Sequence, residues 1–240
     1  DCYYGLGDFA RTAQYAREAI RSGVRLVGRE TRPHGLLIQS LIAMGRPLAE
    51  VLEAVEKARQ EYPTVGDFSV LGGLGAERAG AYPLAEEYFR QGVDCYAQSE
   101  ADQGRLRIPD DKENLWPVAL SRLGTLAKRR GRSEEALEYF AAALSRTPYR
   151  DALLIEVGRL LRDVPAADAI AFFHTIYDKE KDAAYLARVL SEIPLAEAAL
   201  YYDRQTGGEA LTEADRFRLA GRCAAFTAAT LGAAESACRL

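Results

Sequence analysis

Histidine and cysteine are scarce in this chain, and their scarcity excludes much chemistry at once. Only two histidines and four cysteines occur among 240 residues. His34 and His174 lie far apart, and neither has a second histidine or a cysteine at metal-ligand spacing. Each reads as a packed, hydrogen-bonded side chain rather than a ligand or a general base. Cys2, Cys95, Cys223 and Cys238 are scattered and form no CxxC pair. They support neither a zinc site nor a disulfide framework, and a reducing, cytoplasmic setting is expected. No apolar run reaches the ~18 residues of a membrane helix. The polar and aromatic start Asp1-Cys-Tyr-Tyr-Gly is unlike a secretory leader. No excess of one charge exists either. With 31 basic and 35 acidic residues, the net charge is −4, which gives no electrostatic case for nucleic acid or an anionic membrane surface. No GxSxG, HExxH, P-loop or dinucleotide signature occurs in a fitting context. The expected counts of catalytic residues, metals and cofactors are therefore all none.

What remains is a helix-forming chain. Hydrophobic residues make up 48% and charged residues 28%, and alanine, leucine, glutamate and arginine dominate. An all-α protein follows. Self-comparison then shows a repeat. The segment beginning Gly131-Arg-Ser-Glu-Glu-Ala136-Leu-Glu-Tyr-Phe140 has a near copy at Gly80-Ala-Tyr-Pro-Leu-Ala85-Glu-Glu-Tyr-Phe89. A third copy starts at Gly7 and a looser one at Gly45. The intervals between these glycines are 38, 35 and 51 residues. Each unit reads as two helices with a glycine at the bend. Small residues (Ala136, Ala143, Ala85, Gly92) let the second helix lie close, and Phe140 or Phe89 fills the space beside it. The first copy places Thr12 and Ala16 at these positions, and the second unit, about Arg32 to Pro63, places Val51 and Val55 there.

In the unit from Pro117 to Pro148, Leu120, Leu123, Gly124, Ala127, Ala136, Phe140, Ala143 and Pro148 agree with the tetratricopeptide motif at eight positions. Here the chain resembles the tetratricopeptide repeat family, whose unit is 34 residues long. The resemblance implies a superhelix of antiparallel hairpins. Residues 1–148 are expected to form about four such units, with a loop insertion near 98–114 into which the second helix of the third unit can run. Residues 149–240 are expected to carry degenerate helical repeats or capping helices: Ala152–Leu161, Ala166–Tyr177, Ala183–Glu192, Leu195–Tyr202 and Glu213–Thr227. Tyr185, Leu186, Val189, Leu190 and Ile193 make an amphipathic stripe there. Only six residues precede Gly7, whereas the first helix of the best unit starts 14 residues before Gly131. The first unit is thus expected to be truncated, the chain a fragment, and Tyr3, Tyr4, Phe9 and Ala13 exposed in a way that invites self-association. A natural start with one short helix is the alternative.

The family's concave face is lined by the first helix of each unit. By that resemblance it includes Asp67, Val70, Leu74, Glu77 and Arg78, then Val118, Ser121, Arg122, Thr125 and Arg129. Asp67, Glu77, Arg78, Arg122, Thr125 and Arg129 are the candidate polar contacts for a protein or peptide. The glycine-rich Gly72-Gly-Leu-Gly75 sits inside a first helix and reads as close helix packing. Glu86-Glu87 and Glu134-Glu135 fall early in second helices, where negative charge is favoured. Lys128-Arg-Arg130 and Arg132 fall near the end of a first helix, where they complement its C-terminus or hold a phosphate or carboxylate. Further phrases, Asp1-Cys-Tyr-Tyr-Gly-Leu-Gly-Asp-Phe, Arg32-Pro-His-Gly-Leu-Leu-Ile-Gln-Ser-Leu, Phe173-His-Thr-Ile-Tyr-Asp and Leu200-Tyr-Tyr, resemble the C-terminal tetratricopeptide region of bacterial family 2 glycosyltransferase fusions. That resemblance implies acceptor recognition or enzyme assembly as the role. The metal-binding Asp-x-Asp of such transferases has no counterpart in these 240 residues. A free-standing scaffold with a peptide partner is the second reading.

Overall fold

The computed structural model describes residues 2–23, 31–103, 115–148, 150–161, 171–178, 181–182 and 185–186. Among these the chain is helical, without strands. The helices are α1 (Cys2–Gly5), α2 (Phe9–Ser22), α3 (Arg32–Ala43), α4 (Leu48–Glu61), α5 (Gly66–Arg78), α6 (Tyr82–Gln103), α7 (Trp116–Arg129), α8 (Ser133–Arg146) and α9 (Asp151–Leu160). The chain divides into two compact units, Asp1–Tyr139 and Phe140–Leu240.

The four glycines that mark the repeat are the four sharp bends between paired helices. Gly7, Gly45, Gly80 and Gly131 have φ of 76°, 65°, 76° and 75°, the left-handed region that a side chain disfavours. Each ends its helix in the same way. The glycine N–H donates to the carbonyl three residues back, and the next N–H reaches five back. The latter bonds are Asp8 to Tyr3, Arg46 to Leu41, Ala81 to Ala76 and Arg132 to Ala127, at 2.9 to 3.0 Å. This is the Schellman arrangement, and it turns the chain at once into the following helix. At three bends that helix starts two residues after the glycine. At Gly45 one extra residue intervenes, with Pro47 as the N-cap of α4. The extra residue explains why Val51 and Val55 stand where alanine and phenylalanine stand elsewhere. Counted from the helix start they are in register, and they are 2% and 0% exposed. Thr12 and Ala16 of α2 are likewise buried.

In the first unit α5 is the helix around which the others are arranged. Gly66, Phe68 to Gly73, Gly75 and Ala76 are all buried, as expected of a helix apolar on every side. One face joins a core of Ala13, Ile38, Leu41, Val55, Phe68 and Leu71. The opposite face joins Val70, Ala76, Ala85, Phe89, Ala119 and Leu123. The helix has no room for larger residues. A Cβ on Gly73 would stand 2.6 Å from the Phe89 ring, and one on Gly72 2.9 Å from the Tyr88 ring. From the α6 side, a Cβ on Gly92 would stand 2.7 Å from Val70. The glycine-rich stretch is thus a helix-packing surface, as its sequence context implied. First helices touch one another (α3 with α5, α5 with α7), and each second helix also touches the next first helix (α2 with α3, α4 with α5, α6 with α7).

Polar bridges link successive second helices. Arg17 of α2 reaches Glu50 of α4 at 3.0 Å, and Arg90 of α6 reaches Glu135 of α8 at 3.4 Å. Both arginines stand ten residues after their bend glycine. Between α4 and α6 the Tyr88 hydroxyl donates to Glu56 at 2.8 Å. Burial and the Glu56 carboxylate push the Tyr88 phenol up to about 12. The phenol is favoured over the phenolate in the fold, so its contribution is complete below pH ~10 and fades as pH rises through the raised value.

Several expectations change. α6 runs into the expected 98–114 loop as far as Gln103, so the second helix of the third unit does extend into it; a helix-forming run (Ala97-Gln-Ser-Glu-Ala) carries the element past the apolar repeat. Residues 104–114 lie outside the described residues. Ala13 is 1% exposed rather than open, because α3 covers that face of α2. In the second unit the expected helix Ala152–Leu161 is α9, shifted by one residue. Residues 171–174 form a helical turn within the expected Ala166–Tyr177. The Tyr177 hydroxyl donates to the Pro148 carbonyl at 2.5 Å, and that of Tyr185 to Asp151 at 2.9 Å. Leu186 is buried. Val189, Leu190, Ile193 and the expected helices Leu195–Tyr202 and Glu213–Thr227 lie outside the described residues, as does most of Ala183–Glu192.

Gly73→Ala is expected to destabilise the protein by about 1–3 kcal/mol through overpacking against Phe89, although alanine is about 1 kcal/mol the better helix former. Gly80→Ala should cost about 1 kcal/mol for its left-handed backbone. Urea unfolding checks both. A higher midpoint for Gly73→Ala would refute the close-approach account.

Candidate functional site

The candidate contacts are carried by the neighbouring first helices α5 and α7, and the structure sorts them. Glu77 and Arg122 do come together. The Arg122 Nε is 3.6 Å from a Glu77 carboxylate oxygen, with the glutamate largely covered and the arginine half exposed. Partial exposure keeps such a pair weak, at about 1 kcal/mol or less, so both groups can exchange partners readily. Arg78 is exposed at the last turn of α5 and makes no ion pair among the described residues. Thr125 is half-buried, and its hydroxyl donates back to the Ser121 carbonyl at 2.9 Å. Arg129 lies over the Tyr82 ring, 5.1 Å from its centroid. That places it at the bend beside the start of α6, a cation–π contact that holds a guanidinium while leaving its edge in solvent.

Two of the expected lining residues do other work. Val70 is fully buried in the α5–α6–α7 core, because Gly92 opposite it leaves a recess that its side chain fills. Asp67 anchors structure. Its carboxylate accepts the Tyr96 hydroxyl and the Leu115 backbone N–H, the latter at 3.3 Å. Burial, together with the Asp67 charge, drives the Tyr96 phenol far above its ordinary value. The Tyr96 ring also stacks on Trp116 at 5.3 Å. Asp67, Tyr96 and Trp116 thus tie the start of α7 to α5 and α6.

The arginines after α7 hold a carboxylate, and it belongs to the chain. Glu86, 5% exposed, receives Arg130 closely, Arg90 at 2.7 Å and Arg132 at 3.4 Å. Arg132 also pairs with Glu135 at 2.5 Å. Glu86 therefore does more than complement a helix N-terminus. It locks the α7–α8 bend onto α6. His34 is buried with its Nε2 3.2 Å from Glu61 and its ring against Tyr62 and Phe68, a packed histidine as the sequence implied. His174 has no hydrogen bond to its buried Nδ1 among the described residues.

Sequence reasoning overlooked a groove of about 660 Å³ between α2 and α4, floored by Ile20, Leu37 and Ala54 and rimmed by Arg17, Glu50 and Lys57. The signal was available as an arginine ten residues after two of the bend glycines, Arg17 and Arg90. Among the described residues no group of three or more His, Cys, Asp or Glu side chains could hold a metal ion, and no helix is long and apolar enough to cross a membrane. No protein-family model and no curated protein matches the chain.

Glu86→Gln is expected to cost about 1–2 kcal/mol, less than the removal of a fully buried ion-pair partner because the arginines stay part-solvated. Thermal unfolding at low and high salt measures it. An unchanged melting temperature would show that Glu86 does not lock the bend.

Proposed function

We propose that this chain is a non-catalytic interaction module of the tetratricopeptide type. In this reading it is the C-terminal repeat region of a family 2 glycosyltransferase, where it recognises the acceptor protein or assembles the enzyme. One observation carries the interaction reading. The adjoining helices α5 and α7 present Arg78, Arg122 and Arg129 on half-covered ground with only weak partners, beside the apolar Leu74 and Val118. Guanidinium groups so placed suit the carboxylates and backbone carbonyls of an extended or helical peptide. The four equal bends support the repeat assignment, and the structural phrases of the sequence support the transferase context. A reducing, cytoplasmic setting belongs to the same reading, with Cys95 a free thiol.

The partners already present rank the arginines. Arg122 must leave Glu77 to bind, whereas Arg78 has no ion pair to give up among the described residues. Titration of an acceptor-derived peptide by calorimetry should show Arg78→Ala weakening binding by about tenfold, the value of one charge-assisted hydrogen bond. Arg122→Ala should weaken it less. Replacing Arg122 and Arg129 together should weaken it while the helical signal persists. Equal affinities for wild type and all variants would remove this face from the account. The isolated chain is also expected to turn over no sugar nucleotide, and measurable hydrolysis or transfer would refute the non-catalytic reading.

A further inference from the structure

The seventh residue of a second helix faces the second helix of the hairpin before it. In α6 that residue is Tyr88, which is buried and donates its hydroxyl to Glu56 of α4 at 2.8 Å. In α8 it is Tyr139, packed beside the Phe89 core and hydrogen-bonded by Arg90 of α6. In α4, counted the same way past the extra residue at Gly45, it is Ala54. The groove of about 660 Å³ between α2 and α4 lies over this alanine. The ring and hydroxyl that bridge neighbouring second helices at the other two positions are absent here.

The groups that would surround such a ring are nonetheless in place. Arg90, ninth in α6, serves Tyr139 and also reaches Glu135, third in α8, at 3.4 Å. Arg17, ninth in α2, reaches Glu50, third in α4, at 3.0 Å. Arg17, Glu50 and Ala54 therefore repeat Arg90, Glu135 and Tyr139, with only the tyrosine missing. Arg17 can take a further oxygen at little cost. Its side chain is 44% exposed, and Glu50 keeps Arg46 at 2.8 Å whatever Arg17 does. Ile20, Leu37 and Leu41 supply apolar ground for a ring. A ligand carboxylate would be set against Glu50, whereas a neutral phenol would not.

We propose that the α2–α4 groove seats a tyrosine side chain of a partner protein, with its ring over Ala54 and its hydroxyl oxygen accepting from the Arg17 guanidinium. The groove is open to solvent and continues along α2 and α4 to Arg21 and Lys57, so the partner's backbone has room to leave the seat. The site is separate from the α5–α7 face, and either can fail without the other.

Titration of N-acetyl-tyrosinamide into the full chain, followed through the methyl resonances of Ile20, Leu37 and Leu41, tests it. Ring-current shifts at these methyls should saturate with a Kd of about 1 mM, the strength open to so small a ligand. N-acetyl-phenylalaninamide should bind about tenfold more weakly for want of the hydroxyl, and N-acetyl-alaninamide should leave the methyls unmoved. Arg17→Met should bring the tyrosine and phenylalanine probes to equal affinity. Ala54→Tyr should fill the seat from within and abolish binding, with circular dichroism confirming that its helices persist. If Ala54→Tyr unfolds the chain, the Arg17→Met comparison still decides. Methyls indifferent to the tyrosine probe well above that concentration, equal affinities of the two aromatic probes for wild type, a tyrosine preference that survives Arg17→Met, or undiminished binding to a folded Ala54→Tyr would each overturn the proposal.

Discussion

The approach of α5 to α6 is the constraint on which the first unit depends. It exists because Gly72 and Gly73 leave bare backbone beneath Tyr88 and Phe89, while Gly92 leaves the same beneath Val70. Interlocking of this kind turns two helices into one packed layer, and interiors at crystal-like density do not absorb an added methyl group freely. Because α5 is buried on both sides, a displacement there would reach the α2–α4 core through Phe68 and Leu71 and the α7 core through Val70 and Ala76.

Around that layer the bends and polar bridges set register. Each bend glycine fixes where a second helix begins, and at two of the four bends an arginine ten residues later, Arg17 or Arg90, reaches the neighbouring hairpin. The Glu86 cluster and the Asp67–Tyr96–Trp116 group are stronger, non-repeating ties. Both join α6 to the start or the end of α7. Polar groups at these ends hold the helix, while along its middle Ser121 and Thr125 are half-covered and Arg122 is exposed. In the proposed interaction role, that division leaves the α5–α7 surface to a partner without dismantling the fold.

The α5–α7 face has weakly held cations beside apolar ground, and the α1–α2 face has stacked aromatics flanked by one charge of each sign. In the proposed interaction role, the first suits a ligand that brings carboxylates or free carbonyls.

Local chemistry written in the sequence specifies the helical class, the four bends and the burial of the Ala–Phe–Ala positions. Each of these follows from local chemistry: glycine at left-handed φ, helix-forming composition, and small and aromatic residues at fixed offsets. It also carried the glycine-rich packing surface of α5, since glycines inside a helix have few other uses. The tertiary structure decided what local chemistry leaves open. Val70 and Ser121 hold equivalent places relative to their bends, yet one is buried and the other half-covered, because Gly92 opens a recess only for Val70. Asp67 and Glu77 are both carboxylates on α5. The first is taken up by Tyr96, 29 residues away, and the second meets Arg122, 45 residues away. Arg130 and Arg132 could be read as free anion binders until Glu86 is placed between them. Which charge meets which is a property of helices brought together over long sequence distances, and spacing within any one helix does not encode it.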